Sequence, residues 1–136
     1  MYANCEKAGL LIFDTDVLIW FFRGNAKAAR AIEADSERTI SIVSLMELYQ
    51  GARSAREISQ LRSFFQKNSF RIAPISETIS HLAATLMEEH SIRHGLQIAD
   101  ALIAATARET VSTLLTGNVR HFRPIPSLDL RQFRAT

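Results

Sequence analysis

The chain has 136 residues, of which 47% are hydrophobic and 22% charged, and its net charge is +2. This composition predicts one globular domain over residues 10–136 behind a polar lead-in, residues 1–9, and excludes a low-complexity protein. No apolar run approaches the ~18 residues of a membrane span, and no signal peptide is evident, so we expect a cytoplasmic protein without a membrane segment. The single cysteine, Cys5, fits a reducing compartment.

The basic residues are mostly arginine, which accounts for thirteen of the sixteen. The planar guanidinium fork suits phosphate groups. Residues 118–136 hold four Arg against one acid, which is compatible with nucleic-acid binding. Taken alone, such a tail indicates a solvated surface more often than an RNA contact.

The first part of the chain predicts two strands around two helices. Residues 10–13 are four consecutive apolar positions, which suits a strand covered on both faces. A helix or turn follows over residues 17–22, and Asn25 is a favourable N-cap for the helix NAKAARAIEAD. The segment TISIV, residues 39–43, is β-branched and apolar and predicts the second strand.

Two helices and a third strand are expected next. Ser44 can cap a helix over residues 44–53, and an amphipathic helix covers residues 56–67. Residues 70–75, FRIAPI, predict the third strand.

The last part predicts two more helices and a fourth strand. Ser76 can cap a long helix that ends near residue 94, and residues 97–108 predict another helix. Residues 112–116, STLLT, predict the fourth strand. The Pro-containing segment 123–130 can add at most a short edge strand.

Alternation of short apolar strands with helices predicts an α/β protein with a mainly parallel sheet of four to five strands. In such sheets the reactive groups lie at the carboxyl ends of the strands. Asp14 follows the first strand, Glu47 lies early in the helix after the second, and Asn118 follows the fourth. We therefore expect these three polar groups to share one edge.

Asp100 is the acid whose position is most informative. It lies in QIADALIAATAR, where residues 98–105 contain no other charge. A buried carboxylate costs several kcal/mol unless it is paired or binds a metal, which favours a site role. The alternative is that Asp100 is the N-cap of a helix that starts at Ala101.

The sequence supports two interpretations of Glu47 about equally. Ser44 and Glu47 match the S-x-x-E capping box, in which Glu47 bonds back to the Ser44 amide and is purely structural. Gly51, one turn later, allows a ligand or another segment to approach closely and favours a site role slightly.

Asp14 and Asp16 are two positions apart, so one of them can cap the turn after the first strand while the other acts in a site. A cluster of acids needs a cation, because like charges raise one another's pKa. Oxygen ligands without cysteine or a His-x-His pair point to Mg²⁺ or Mn²⁺, which can activate a water and stabilise charge on a phosphodiester. The four histidines show no metal-like spacing and are interpreted as surface groups.

The segments FDTDVLIWFFRG, SIVSLMELYQGA, LQIADALIAATA and LLTGNVRHF, in this order, resemble the PIN-domain ribonucleases, most of all the VapC-type toxins of toxin–antitoxin pairs. The resemblance runs from Leu11 to about Ile125. It implies a three-layer α/β/α domain that binds Mg²⁺ or Mn²⁺ at an acidic edge and hydrolyses single-stranded RNA.

The resemblance also assigns site residues. It makes Asp14, Asp100 and Glu47 metal ligands and, with Asn118, the catalytic set. Asp16 and Thr116 support them, and Asn118 stands where many members have Asp. In the expected mechanism Asp14 and Asp100 hold the ion, and Glu47 either orients the attacking water or completes the shell of a second ion.

Substrate and partner follow from the same resemblance. Arg23 and Arg120 are the candidates for holding RNA, although a surface position explains Arg23 equally well. Family precedent implies a homodimer and a hetero-oligomer with a VapB-type antitoxin.

Two alternatives remain. An apolar strand followed by Asp-Thr-Asp also resembles the start of a haloacid-dehalogenase-like phosphatase, but the chain lacks the later Lys and acidic pair of that family. The other alternative is a catalytically silent PIN-like module that only binds RNA or a partner. The presence of Asp14, Glu47 and Asp100 speaks against it.

Overall fold

The computed structural model describes residues 10–136, which form five strands and seven helices. The strands are β1 (Leu11–Phe13), β2 (Thr39–Ser41), β3 (Arg71–Ala73), β4 (Thr113–Thr116) and β5 (Leu130–Gln132). The helices are α1 (Thr15–Phe22), α2 (Ala26–Ala34), α3 (Ile42–Gln50), α4 (Ala55–Lys67), α5 (Glu77–His94), α6 (Ile98–Glu109) and α7 (Val119–Phe122). The predicted lead-in, residues 1–9, lies outside the described residues.

The five strands form one sheet in the order β3-β2-β1-β4-β5, and every pair is parallel. The chain extends the sheet on one side of β1 with β2 and β3, then returns to add β4 and β5 on the other side. The carboxyl ends of β1 and its neighbours therefore flank a crevice where the strand order reverses, which is the usual ligand position in open α/β sheets.

Helices cover both faces of the sheet because successive strand residues point to opposite sides. Ile12 and Leu114 pack with residues of α5, α6 and α7 in one core. Phe13 and Leu115 pack on the opposite side with residues of α1, α2 and α4. The three-layer α/β/α prediction is confirmed, and the sheet has five strands.

The start of α3 differs from the prediction. The strand predicted over residues 39–43 ends at Ser41, and the helix begins at Ile42. Ser41 is extended (φ −72°, ψ 148°) and its Oγ accepts a hydrogen bond of 3.0 Å from the amide of Val43, so Ser41, and not Ser44, is the N-cap. Val43 packs into the core from a helical backbone. Tertiary packing thus overrides the strand preference of β-branched residues.

The other boundaries lie close to those expected. Asn25 caps α2 and Ser76 caps α5, each through a side-chain oxygen that accepts an amide hydrogen bond. The predicted strand over residues 70–75 is shorter than expected. An edge strand does form, but β5 starts at Leu130 and so lies almost entirely after the predicted segment 123–130. Within residues 10–136, no helix is both long and apolar enough to cross a membrane.

Candidate active site

Asp14 lies at the carboxyl end of β1 and is only 6% exposed. Its Oδ1 accepts a hydrogen bond of 2.8 Å from the Thr15 amide, and its Oδ2 accepts one of 2.7 Å from the Thr116 hydroxyl at the end of β4. The Asp14 backbone also continues the β1–β4 ladder, since its amide donates to Leu115 O at 2.9 Å. These three bonds fix Asp14 where the central strands end.

Glu47 is held by the residue next to Asp14. The Thr15 hydroxyl donates to Glu47 Oε1 at 2.6 Å and lies 2.9 Å from Ser44 Oγ. The capping-box interpretation of Ser44 and Glu47 is therefore wrong: α3 already begins at Ile42, and Glu47 reaches across to α1. The hydrogen bond from Thr15 holds the Glu47 carboxylate close to Asp14, which favours the site interpretation of Glu47.

Asp16, in the first turn of α1, faces the loop after β4. Its Oδ2 accepts a hydrogen bond of 2.9 Å from the Gly117 amide. A Cβ on Gly117 would come within 2.8 Å of the same oxygen, so the approach requires glycine. The Asp16 Oδ1 is buried and has no hydrogen-bond partner. Asp16 is thus part of the site, with one oxygen still unsatisfied.

Asp100 lies in the first turn of α6, and the cap of that helix is Gln97. The prediction that Asp100 itself could be the N-cap is therefore wrong. Its Oδ2 is 3.4 Å from the Gln97 amide, a long hydrogen bond, and its side chain is 19% exposed. Asp100 is half-buried rather than enclosed, because α6 places it at the open edge of the sheet.

The loop after β4 supplies the remaining side chains. The Asn118 amide donates to Thr116 Oγ1 at 2.9 Å, which ties Asn118 to the hydroxyl that also bonds Asp14. The Asn118 side chain is 2.9 Å, Nδ2 to Nδ1, from His121. The same His121 nitrogen is 3.6 Å from Asp100 Oδ2. His121 therefore joins the α6 acid to the β4 loop.

The acids influence one another electrostatically. Burial raises the pKa of Asp14 to about 7; the Asp16 and Asp100 carboxylates add to the rise, and the bonds from Thr116 and Thr15 oppose it. Burial likewise raises the pKa of Asp16, against the hydrogen bond from Gly117 and with a contribution from Asp100. The negative charges of three carboxylates therefore act on one another at this edge.

This donor set fits a hard divalent cation. The fit rests on the unpartnered, buried Asp16 Oδ1 and on the mutual repulsion of Asp14, Asp16 and Asp100. Within residues 10–136, no three His, Cys, Asp or Glu side chains stand close enough together to enclose an ion as they are. An ion here would therefore take only some of its ligands from the protein, which suits Mg²⁺, since it usually keeps several waters.

The two arginines expected to hold RNA lie outside this hydrogen-bonded cluster. Arg23 is exposed at the end of α1, with its guanidinium 5.7 Å from the centre of the Trp20 ring. It lines a groove of about 570 Å³ between α1, α3 and α4. Arg120 is exposed on α7, next to His121.

Four residues of the cluster were missing from the sequence prediction: Thr15, Ser44, Gly117 and His121. A glycine between Thr116 and Asn118 is the one available signal, since glycine often marks a close backbone approach. His121 was interpreted as a surface group, yet its ring contacts two predicted site residues. Nothing in the sequence indicates that the Thr15 hydroxyl reaches α3.

Comparison with known proteins gives the family. The model of the PIN domain matches residues 11–126. The chain belongs to the PIN-domain family. Among curated PIN-domain relatives, ribonuclease VapC10 of Mycobacterium tuberculosis is 38% identical over 120 residues, which cover 83% of this chain and 86% of VapC10. Ribonuclease VapC19 of the same organism is 32% identical over 122 residues, 86% of this chain and 95% of VapC19.

The PIN fold is also found in solved structures. A toxin–antitoxin complex from Klebsiella pneumoniae contains a chain with a TM-score of 0.73 and 30% identity. The match covers 93% of this chain and 98% of that one. Family membership agrees with the resemblance on which the site prediction rests and gives no support to the phosphatase alternative.

Proposed function

We propose that this PIN-domain protein is a divalent-metal-dependent endoribonuclease that cleaves single-stranded RNA and acts as the growth-inhibiting toxin of a VapBC-type pair. The observation that carries the proposal is the convergence of Asp14, Asp16 and Asp100 at the carboxyl edge of the sheet, with Glu47 held beside them. The relatives that are ribonucleases, VapC10 and VapC19, support RNA as the substrate.

In this proposal Asp14 and Asp100 hold the ion with Glu47, and Asp16 contributes its unpartnered Oδ1. A bound Mg²⁺ or Mn²⁺ supplies positive charge beside the phosphodiester and acidifies a water. The hydrogen bonds from Thr15 and Thr116 keep Asp14 facing the crevice. Glu47 uses one oxygen on the Thr15 hydroxyl, which leaves the other to orient the attacking water.

The rim binds the substrate. The exposed amide of Asn118, anchored by its backbone to Thr116, can bond a phosphate or sugar oxygen. Arg120 on α7 and Arg23 at the end of α1 supply the positive charge that a single strand needs beside an acidic centre. Because RNA is the proposed substrate, the expected place of action is the cytoplasm.

The proposed partner is a VapB-type antitoxin, in line with the toxin–antitoxin complex among similar structures. α1 exposes Ile19, Trp20 and Phe22 at 38–41% of their surface. Exposed apolar patches of this kind mark protein contacts. Homodimerisation and assembly with the antitoxin can be measured by the mass of the toxin alone and after co-expression with the product of the neighbouring reading frame.

The deciding experiment measures cleavage of a fluorescent single-stranded RNA. We expect cleavage with Mg²⁺ or Mn²⁺ and none in EDTA, with recovery when metal is restored. Asp100→Asn should lose at least 100-fold in activity, because it removes one ligand charge while keeping the shape. Asp129→Asn is the matched control, since Asp129 is exposed ahead of β5. Cleavage that persists in EDTA would contradict the mechanism.

Growth arrest separates this function from the silent-module alternative. Induced wild-type protein should arrest growth, whereas Asp100→Asn should not, although it still binds the antitoxin. If the Asp100→Asn protein arrests growth as strongly as the wild type, the chain acts by binding and not by catalysis.

A further inference from the structure

His121 is the one histidine of residues 10–136 whose ring contacts the acidic cluster. Its Nδ1 faces inward, 2.9 Å from Asn118 Nδ2 and 3.6 Å from Asp100 Oδ2. The side chain is nevertheless 43% exposed. Nε2 lies across the ring from these two contacts.

The contact with Asn118 fits the tautomer that carries its hydrogen on Nε2. In this tautomer Nδ1 accepts a hydrogen bond from the Asn118 amide NH₂ group. An imidazolium also carries a hydrogen on Nε2, so Nε2 is a donor in either state. Among residues 10–136 the Nε2 atom has no hydrogen-bond partner.

A donor at this position meets a need of the site. Asp14, Asp16 and Asp100 give the edge a negative field, and a phosphodiester brought to it needs neighbouring donors. Hydrogen bonds to an ionised acceptor are about twice as strong as neutral ones. Because Nδ1 is the ring atom nearest Asp100, the Nε2 hydrogen points away from that carboxylate and toward a group beyond the outer edge of the ring.

We propose that His121 is a further catalytic residue, whose Nε2–H donates a hydrogen bond to a non-bridging oxygen of the phosphodiester bound at the acidic edge. The inference rests on the proposed ribonuclease function. No proton is transferred: the bond neutralises part of the charge that develops on the phosphate. Asn118 acts through His121 by fixing the ring, in addition to its own contact with substrate.

Two substitutions separate the two nitrogens. The terminal amide of Gln reaches about as far as Nε2, and that of Asn about as far as Nδ1. We expect His121→Asn to lose roughly 10- to 100-fold in kcat/KM, the usual range for a hydrogen bond to a charged group, and His121→Gln to keep most of the activity. His81→Gln, on the exposed surface of α5, is the control.

The outcomes distinguish substrate contact from positioning. If His121→Asn stays active and His121→Gln does not, His121 only positions Asp100 and Asn118, and the proposal is overturned. It is equally overturned if both variants keep full activity. Thermal unfolding of both variants should match the wild type. If the wild type itself cleaves no RNA, the proposed function fails and this inference fails with it, whereas an active wild type with the outcomes above overturns this inference alone.

A sulfur-substituted substrate decides the case in which both variants lose activity. Phosphorothioate at the cleaved linkage weakens a hydrogen bond to the replaced oxygen. For one diastereomer the wild type should lose rate in a way that Cd²⁺ does not restore, and that loss should disappear in His121→Ala. A sulfur effect of the same size in His121→Ala and wild type would show that the ring does not touch the phosphate.

Discussion

The pKa of Asp14 is raised mainly by burial of its carboxyl group and to a smaller extent by nearby charges. At 6% exposure it loses hydration that two hydrogen bonds only partly replace, and the Asp16 and Asp100 charges add to the cost of ionising it. A cation would relieve this cost. Protonation of this single carboxylate is thus coupled to folding.

This coupling predicts how the metal-free protein responds to pH. The pKa of Asp14 is raised from 3.8 to about 7, so between these values the folded protein holds a proton that the unfolded chain releases. The free energy of unfolding in EDTA should therefore fall as pH rises from about 4 to about 7, by on the order of a few kcal/mol. The raised pKa of Asp16 acts in the same direction. Thermal unfolding in EDTA from pH 4 to 8 measures this fall in the free energy of unfolding.

Asp14→Asn is the control for that pH series. The variant should lose most of the pH slope and be more stable than the metal-free wild type at pH 8. Added Mg²⁺ should raise the stability of the wild type at pH 8 but not that of Asp14→Asn. An unchanged slope in the variant would mean that another group is responsible.

Gly117 shows how a residue without a side chain can serve a site. In Gly117→Ala the new Cβ would stand 2.8 Å from Asp16 Oδ2, and the carboxylate would have to swing away from the Gly117 amide. Since only a side-chain end moves, we expect the unfolding free energy to change by less than about 1 kcal/mol. RNA cleavage should fall at least 10-fold. Gly51→Ala, where the nearest atoms are 3.7 Å away, should leave both unchanged.

At the scale of elements, some helix N-caps were predicted from the sequence and one was missed. Asn25 and Ser76 follow the usual cap preferences and were predicted. Ser41 was missed because TISIV has strand propensity up to its last residue, and only packing against α6 explains why the helix begins earlier. Alternation alone predicted a parallel sheet with an edge shared by Asp14, Glu47 and Asn118, but the order of the strands was not predicted.

Contacts between distant elements were beyond prediction. The reach of Thr15 to Glu47 joins residues 32 positions apart, and the Gly117 amide meets Asp16 across 101. Neither leaves a local pattern, since hydroxyl and amide groups occur throughout the chain. The family resemblance supplied the acids, but the groups that hold them follow only from the packed structure.

The two helices before β4 end differently, and the difference can be tested. After α5, Gly95 takes the left-handed conformation (φ 70°), whereas after α6 the β-branched Val111 takes it (φ 52°) at 70% exposure. Val111→Gly should raise the unfolding free energy by about 1 kcal/mol, because the strain in a left-handed β-branched residue is removed. Gly95→Val should lower it by a similar amount. Chemical denaturation compares the two, and a destabilised Val111→Gly would contradict this account.

For the whole molecule, β5 and the residues after it complete the core on the α1–α2 side. Phe133 is 7% exposed and packs with Leu11 and Leu115. Asn25 Nδ2 donates to Ala135 O at 2.9 Å, which holds this last segment against α2. The segment that contains β5 is thereby held both by the packing of Phe133 and by the hydrogen bond from Asn25 to Ala135 O.

Phe133→Ala should lower the unfolding free energy by about 3 kcal/mol or more, as expected for a buried phenylalanine. The control is Ile92→Ala, since Ile92 is 98% exposed and should change stability by less than about 0.5 kcal/mol. Denaturant unfolding of both variants measures the difference. Equal effects would mean that the last segment does not close this core.

The assembly of the site from β1, α3, α6 and the β4 loop has a consequence for synthesis of the protein. Asp14 and Glu47 are translated well before Asp100, Asn118 and the strand partner β5. A growing chain folds from its N-terminal end, so the ribosome carries a chain whose acids have not yet met. The acidic edge of a PIN domain built in this order cannot form until α6 and the β4 loop have been translated, so a shorter nascent chain holds only part of the site.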